Sequence, residues 1–600
     1  MASLGTPLPQ FPEAKSSATT LLWQVYHRRP RTQRTRVLAL ASVFFVLVLF
    51  LLNRSSRPPD PDYWTKFPSR HPFPNRPEDA QLVLPRPKFS VNGSLPHDLS
   101  KANPQFHVLV PAEDSSRGVC RTMTSAMILE YPPLSMIGWG LPSSSGLTEF
   151  EQTVQRITRM RDYLKDSHYV HDRDIVLVVD GEDIFFQLPP RVLLQRFQNI
   201  LRTTNQKLAK KYGYAELPTE GPDAQPELVQ KYEQRVLFGA SKECIPSLHN
   251  DSGCVTVPQS SLPPDVYGWK TDEFHDGTRN RPRWLNPGAV MGQAADVRLI
   301  YDEMLQQMEN YGSNKTDEHK ILTQMYGRQE VLRELERRRT TNRAKDWLYR
   351  TIGISDASNI TGVNVRLETG HRYEFGIGVD FESQLFFNQI LSRKDVAWVK
   401  YSNISRMSTL QMEHKVPREH RLLLPTELAE CANPFVQTRF AKDEEMIPAY
   451  NETLDKLPDP NERSWVNVPL MTNPHSASIP ALIHMNGDKK LRDVWWEKMW
   501  FFPWARALLR KYIRNSRGFD SAQSALLGGQ EWWDARGGRG GIWTDEEEWI
   551  PLYEVCQGQE RDLFDDDLGP FGKENGDPLR PVYNQFGTLI KGEKKRSRRT

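Results

Sequence analysis

The feature that most constrains this chain is a set of uninterrupted apolar runs of strand length: Phe106–Val110 (FHVLV), Asp174–Asp180 (DIVLVVD) and Arg235–Ser241 (RVLFGAS). Runs without polar alternation suit strands buried on both faces, as inside a parallel sheet covered by helices. The segments between them carry helical spacing. Within 148–165, Phe150, Val154, Ile157 and Leu164 recur near the helical period. Pro189–Leu201 resumes that period with proline in its first turn, where the missing N–H is harmless. Strands alternating with helices predict an α/β fold, a Rossmann-type, mainly parallel sheet flanked by helices.

At 600 residues the chain exceeds one ordinary core, and 38% hydrophobic content argues against wholesale disorder. Its 78 basic against 75 acidic residues give +3, so charge offers no reason to expect a nucleic-acid binder. The balance is uneven: residues 1–36 hold six Lys/Arg against Glu13 alone, leaving 72 against 74 in the remainder. Next comes Val37–Leu52, sixteen residues without a charge. As a helix it spans about 24 Å, short for a bilayer core but suited to the thinner membranes of the early secretory pathway. Arg28, Arg29, Arg31, Arg34 and Arg36 precede it, so the positive-inside bias predicts a cytosolic tail (1–36) and a single-pass type II signal anchor (37–52). A cleaved signal peptide fits less well, because its polar lead would be unusually long. All five cysteines (Cys120, Cys244, Cys254, Cys431, Cys556) lie beyond the anchor, where disulfides persist, and one must stay unpaired within the chain. Six glycosylation sequons, at Asn92, Asn250, Asn314, Asn359, Asn403 and Asn451, fall on the same side. The expected location is the Golgi or endoplasmic reticulum membrane, with the bulk of the chain lumenal.

Residues 53–104, rich in Pro, Arg and Ser, read as an extended stem. The α/β domain is expected over 105–514, interrupted near 203–234, 312–350 and 405–475. RQEVLRELERRR at 328–339 reads as a solvated charged helix, and the glycine- and charge-rich 515–600 as a poorly ordered tail with a tryptophan docking patch.

The chemistry concentrates at the end of one apolar run, DIVLVVDGEDIFF. Asp180 closes the strand and Asp183 follows in the turn, at the carboxyl edge where open α/β sheets bind ligands. Two carboxylates there offer hard oxygen ligands to Mg²⁺ or Mn²⁺, although aspartates also serve merely to cap turns. WLNPGAVMGQAADVRLI (284–300) brings Asn286, Gly288 and Gly292, by itself an ordinary turn between strand and helix. ALIHMNGDKKL (481–491) brings an apolar run, then His484, Asn486, Gly487, Lys489 and Lys490. Imidazole suits Mn²⁺, and lysine meets phosphate charge.

In this order the segments resemble the glycosyltransferase domain of the procollagen lysyl hydroxylases and the related collagen galactosyltransferase-like proteins, a GT-A fold. The resemblance runs from about Phe106 to about Arg514 through PPLSMIGWG (132–140), VLVVDGEDIFF (176–186), VLFGASKECIP (236–246), WLNPGAVMG (284–292), FESQLFF (381–387) and HMNG (484–487). It implies Asp180, Asp183 and His484 as ligands of Mn²⁺ (or Mg²⁺) holding a UDP-sugar donor. It places Asn286 and Gly288 near the donor, and Asn486, Gly487 and Lys490 near its diphosphate. Three departures stand out. The family's acidic stretch reads Asp380-Phe381-Glu382-Ser383-Gln384, so Glu382 is the acid expected near the acceptor, with Asp380 in reserve. The donor loop SSSGLTEFE (143–151) keeps Gly146 but lacks lysine. Glu182 replaces the usual aromatic between the aspartates, which leaves nucleobase stacking to another residue, Trp139.

The expected activity is transfer of a hexose from a UDP-sugar to a hydroxyl of a glycan or protein acceptor, with no nucleic-acid partner. The competing reading is a catalytically silent, membrane-anchored binding or scaffold subunit with the same core. A dioxygenase is disfavoured because the one HxD, His249-Asn250-Asp251, overlaps a sequon and little chain remains for a jelly roll. GxSxG, HExxH and GxxxxGK[ST] are absent, against a serine hydrolase, a zinc protease and a P-loop enzyme.

Overall fold

The three apolar runs are members of one eight-stranded sheet, the first two adjacent and the third one strand further on. The strands in chain order are β1 (Phe106–Pro111), β2 (Leu134–Ile137), β3 (Ile175–Val179), β4 (Ile184–Phe186), β5 (Tyr214–Leu217), β6 (Glu227–Gln230), β7 (Val236–Ser241) and β8 (Trp284–Gln293). There follow β9 (Ile377–Asp380), β10 (Phe386–Asn388), β11 (Ala397–Val399), β12 (Leu470–Thr472), β13 (Leu482–His484), β14 (Gly541–Thr544) and β15 (Trp549–Pro551). This computed structural model describes residues 105–141, 146–217, 227–245, 250–311, 317–340, 360, 363, 365–416, 421–437, 450–514 and 540–564, plus four two-residue strands between 573 and 590. Apart from 336–340, these residues fall within a single unit of the chain. The tail, anchor and stem expected over 1–104 lie outside the described residues; among those described, no helix is long and apolar enough to cross a membrane.

The sheet order is β15-β14-β2-β1-β3-β8-β7-β9. Strands β14, β2, β1 and β3 are parallel, β8 opposes both β3 and β7, β9 is parallel to β7, and β15 turns back at the edge. Removing β8 and β15 leaves six of eight strands in one direction, a mostly parallel sheet. Alternate side chains enter two apolar layers: Ile175, Leu177 and Val179 face one, Val176 and Val178 the other. The first layer is closed by helices Arg117–Ile128, Pro190–Tyr212 and Ala505–Arg514, the second by Glu149–Asp166 and Ala294–Tyr311. Burial on both faces is why these strands carry no polar alternation. Helix Glu149–Asp166 begins in a capping box, with Thr148 Oγ1 accepting from Glu151 N and Glu151 Oε2 accepting from Thr148 N.

Three regions differ from expectation. The Asn286-Pro287-Gly288 turn is instead part of β8, where the register against β7 shifts between Phe238 and Gly239. A bulge there tolerates a proline that cannot donate to the ladder. The charged helix is not solvated along its length: in Glu318–Thr340, Glu330, Val331, Leu332 and Arg333 are buried. Arg333 enters because Glu330 at 2.9 Å and Glu374 at 2.6 Å neutralise it. Residues 540–564, expected in a poorly ordered tail, instead supply β14 and β15, with Trp543 buried against Trp549 across the hairpin.

Cys556 of this segment is bonded to Cys120 in helix Arg117–Ile128, Cys244 is bonded to Cys254, and Cys431 is the unpaired thiol. The Cys120–Cys556 bridge closes a span of 436 positions. Replacing both cysteines with serine is expected to cost about 2–4 kcal/mol of stability. The readouts are a lower thermal midpoint and protease cleavage in the released 541–551 hairpin; an unchanged midpoint refutes the expectation.

Candidate metal centre

A small second sheet, ordered β10-β13-β4, builds the site. β13 runs parallel to β10 and antiparallel to β4, pairing His484 with Asn388 on one side and Ile184 on the other. The carboxyl end of β13 thereby meets the start of β4, and Met485 N donates to Asp183 O at 2.7 Å. Sequence distance is erased by one strand pairing. Ligand atoms of Asp180, Asp183 and His484 lie within 4.8 Å of one another, with Asp183 and His484 buried and Asp180 exposed. The expected donor set is thus brought together in space.

The loop between β3 and β4 is held from several sides. Asp180 N donates to Gly288 O at 3.0 Å, and Asp180 Oδ1 accepts from Glu182 N at 2.9 Å. Thr122 Oγ1, buried in helix Arg117–Ile128, lies 2.8 Å from Ile184 O and 3.1 Å from Gly181 O. Glu182 leans onto Gly118 in that helix's first turn, where a Cβ would fall 2.0 Å from Glu182 O and 2.7 Å from its Oε2. Its carboxylate stands outside the three-residue cluster.

Asn388 orients the imidazole. Its Nδ2 donates to Ala240 O at 2.9 Å, which turns Oδ1 toward His484 Nδ1, 2.9 Å away. Asn486 Nδ2 donates to the same oxygen at 3.3 Å. An amide oxygen only accepts, so Nδ1 donates its N–H there and Nε2 is the nitrogen left to meet the carboxylates, with a lone pair or with a second proton. That nitrogen faces Asp183 Oδ1 at 3.2 Å, and the oxygen is otherwise buried without a hydrogen-bond partner. Two acceptors aimed at each other need a cation, either a second proton on the ring or a metal. Two carboxylates and an imidazole suit Mn²⁺, or Mg²⁺ with water completing its shell, so the residues fit the expected metal.

Electrostatics reinforce the carboxylates. Burial pushes the Asp183 carboxyl up, but His484, Arg492 and Lys489 outweigh it and hold the group below its ordinary range. Arg492 Nη2 donates to Asp183 Oδ2 at 3.0 Å. Glu318 chiefly, and Asp180 to a lesser degree, hold the Arg156 guanidinium in its charged form. Asn388, Arg492 and Arg156 were not singled out from the sequence. The basic run Lys489-Lys490-x-Arg492 is a local signal for Arg492 alone.

The other expected site residues stand outside this three-residue cluster. Buried Asn286 accepts from Gly288 N through Oδ1 at 3.1 Å and shapes the bulge. Asn486 Oδ1 accepts from Ile390 N at 3.1 Å, Gly487 packs on Gln389, and Lys490 is exposed at the start of helix Leu491–Lys498. Trp139, just beyond the carboxyl end of β2, is half-buried against the core, and Gly146 precedes helix Glu149–Asp166 with φ at 120°. Glu382 is half-buried, its Oε1 accepting from Ser261 Oγ at 2.9 Å and its Oε2 from Gln384 Nε2 at 2.8 Å. Asp380 is enclosed, its Oδ2 accepting from Leu385 N at 2.6 Å and Phe386 N at 3.1 Å. The chain matches no protein-family model, and no curated protein matches it.

Gly288 leaves room for the imidazole: a Cβ there would fall 1.9 Å from His484 Cε1. Gly288→Ala is expected to displace the ring and weaken Mn²⁺ binding roughly 10–100-fold, as loss of ligand orientation does elsewhere. Isothermal titration with Mn²⁺ reads this directly, and wild-type affinity in the variant refutes it.

Asp380 yields a pH prediction. Burial, opposed by the backbone amides, raises its carboxyl from the ordinary 3.8 to about 6. The folded chain therefore keeps this proton longer than the unfolded one, and stability falls as pH rises from about 4 to about 6. Asp380→Asn retains an acceptor without the charge. It is expected to exceed wild type at pH 7 by up to about 3 kcal/mol and to match it below about pH 4, as measured by urea unfolding across that range.

Proposed function

We propose that this chain is a GT-A-type, metal-dependent glycosyltransferase. It moves a hexose from a UDP-sugar to an acceptor hydroxyl in the lumen of the secretory pathway, anchored through 37–52 as a type II membrane protein. The observation that carries the reading is the meeting of His484 Nε2 and the buried, otherwise unpartnered Asp183 Oδ1, with Asp180 beside them at the carboxyl edge of β3. The ordered resemblance of the surrounding segments supplies the reaction class.

A divalent cation held by Asp180, Asp183 and His484 supplies Lewis-acid neutralisation of the charge that builds on the departing nucleotide. Arg492 and Lys489, which bear on Asp183, and Arg156, which bears on Asp180, add positive field for a diphosphate. Asn486 and Gly487 offer a narrow, small-residue wall to the donor. In the transfer the bond from the anomeric carbon to phosphate oxygen breaks, and a bond to the acceptor oxygen forms. Glu382 is the carboxylate that takes or orients the acceptor proton, since its Ser261 partner is a hydroxyl that an acceptor hydroxyl can replace. Asp380, enclosed by backbone amides, holds the turn that presents Glu382.

One observation favours the second reading, a silent binding subunit. Arg492 already donates to Asp183 Oδ2, and a cationic side chain competes with a metal for the same carboxylate. The two readings part in a single experiment on the purified full chain. UDP-glucose and UDP-galactose, with and without Mn²⁺, are screened by thermal shift and by release of UDP. The enzyme reading expects Mn²⁺-dependent stabilisation and turnover, both abolished in the Asp180→Ala, Asp183→Ala double variant. Equal UDP binding by wild type and double variant, indifferent to Mn²⁺, overturns it.

A further inference from the structure

A groove of about 1240 Å³ is lined in part by Asn486, Gly487 and Asp488, which begin two residues after His484, and Asn486 Nδ2 donates to the same Asn388 oxygen that faces the imidazole. Small-ligand sites run roughly 300–1,000 Å³, so this space exceeds what one small ligand fills. All of its lining residues belong to the one unit described above.

Four features describe its occupant. The first is an unmet donor. Gln389 lines the groove at 2% exposure, and its Oε1 accepts from Asp488 N at 3.0 Å. A backbone N–H can only donate, which fixes the amide's orientation and leaves Nε2 buried without a partner. A buried donor of this kind calls for an oxygen, from an ordered water or from a ligand hydroxyl that displaces it.

The second is aromatic. Trp269 lines the groove with 79% of its surface exposed, and Phe274 lies on the same wall. A tryptophan left this open offers a flat apolar platform with a polar edge. The third is charge balance. Asp395 in the lining is neutralised by Lys242, which is buried behind it against the Tyr267 ring. Of the remaining lining residues, four carboxylates, among them Asp276 and Asp488, match four cations, among them Arg279 and Arg393. Such a lining gives no net field for a phosphate or an acidic peptide. The fourth is strain. Leu391 and Lys415, which line the groove, have φ of 57° and 51°, and Lys270 and Asp272 in the Trp269 loop have 64° and 63°. Left-handed non-glycine residues persist where the surrounding structure holds them, often at ligand sites.

We infer that this groove binds a neutral carbohydrate chain, with the sugar that accepts the transferred hexose at the Asn486–Gly487 end. Pyranose rings present an apolar C–H face to an aromatic platform and a rim of hydroxyls to mixed donors and acceptors, which is what Trp269, Gln389 and the paired charges offer. A polypeptide in extended form seeks a free strand edge and apolar pockets instead. The acceptor role rests on the glycosyltransferase reading, whereas carbohydrate binding in the groove does not.

The test uses the purified full chain, titrated with mannotriose, galactotriose, cellotriose and chitotriose by saturation-transfer NMR and tryptophan fluorescence. A Ser/Thr-rich peptide of similar length is the rival probe. At least one trisaccharide is expected to bind at roughly millimolar strength or better without Mn²⁺. Trp269→Ala is expected to weaken it about tenfold or more while leaving Mn²⁺–UDP binding unchanged. Gln389→Glu, which keeps the acceptor for Asp488 N but removes the donor, is expected to weaken it as well. Should Gln389→Glu fail to fold, the exposed Trp269 substitution still decides. The inference is overturned if no trisaccharide binds, if binding ignores Trp269→Ala, or if only the peptide binds through Trp269. Intact Mn²⁺–UDP binding alongside those results sinks this inference alone. Mn²⁺-independent UDP binding alongside normal trisaccharide binding sinks the enzyme reading instead.

Discussion

The antiparallel pairing of β13 with β4 is the contact on which the rest depends. It is three residues long on each side, yet it sets His484 opposite Ile184 and therefore beside Asp183. Short strands do not hold such a register alone. Here β10 pairs with the other side of β13, and Phe185, Phe186, Phe386, Phe387, Leu482 and Ile483 are all buried in one apolar layer. A slip of one residue would reverse every side chain, exchanging the packing of two buried faces and turning the imidazole away from Asp183. Packing energy spread over many apolar contacts thus fixes the position of one imidazole.

The polar part of the centre follows from that apolar frame. Once His484 and Asn388 are paired across β13 and β10, the Ala240 carbonyl orients the Asn388 amide, and the amide orients the ring. Gly288 gives the ring its space, and the β8 bulge aims the Gly288 carbonyl at Asp180 N. Each step is a hydrogen bond in low dielectric, where leaving either partner unmet is costly. The arrangement concentrates acceptors on one point and surrounds them with Arg492, Lys489 and Arg156, a combination suited to a cation with an anionic ligand bound to it.

The C-terminal segment has a structural part in this. β14 extends the sheet beyond β2, and Cys556 ties the same segment to helix Arg117–Ile128. That helix carries Thr122 and Gly118, which hold the loop bearing Asp180 and Asp183 from behind. Segments far apart in the chain are therefore mechanically joined to the centre, without contributing a ligand to it.

Much of the strand and helix pattern was legible beforehand, because burial on both faces leaves continuous apolar runs and amphipathic helices leave a 3.6-residue period. Helix Glu149–Asp166 and strands β1, β3 and β7 lie within a residue or so of their expected places. Charge misled where pairing was remote: Arg333 reads as solvent-facing until Glu374 is seen beside it. Glycine content likewise misled in the tail, since β14 is completed by a sheet edge supplied by β2. Asn388 and Gln389 carried no local signature, because their roles exist only through partners far away in the chain. The amino-acid order by itself determined which segments must be buried and which carboxylates and imidazole had metal-binding chemistry. The tertiary structure alone decided which of them meet, because hydrogen-bond direction and steric room are properties of neighbours in space.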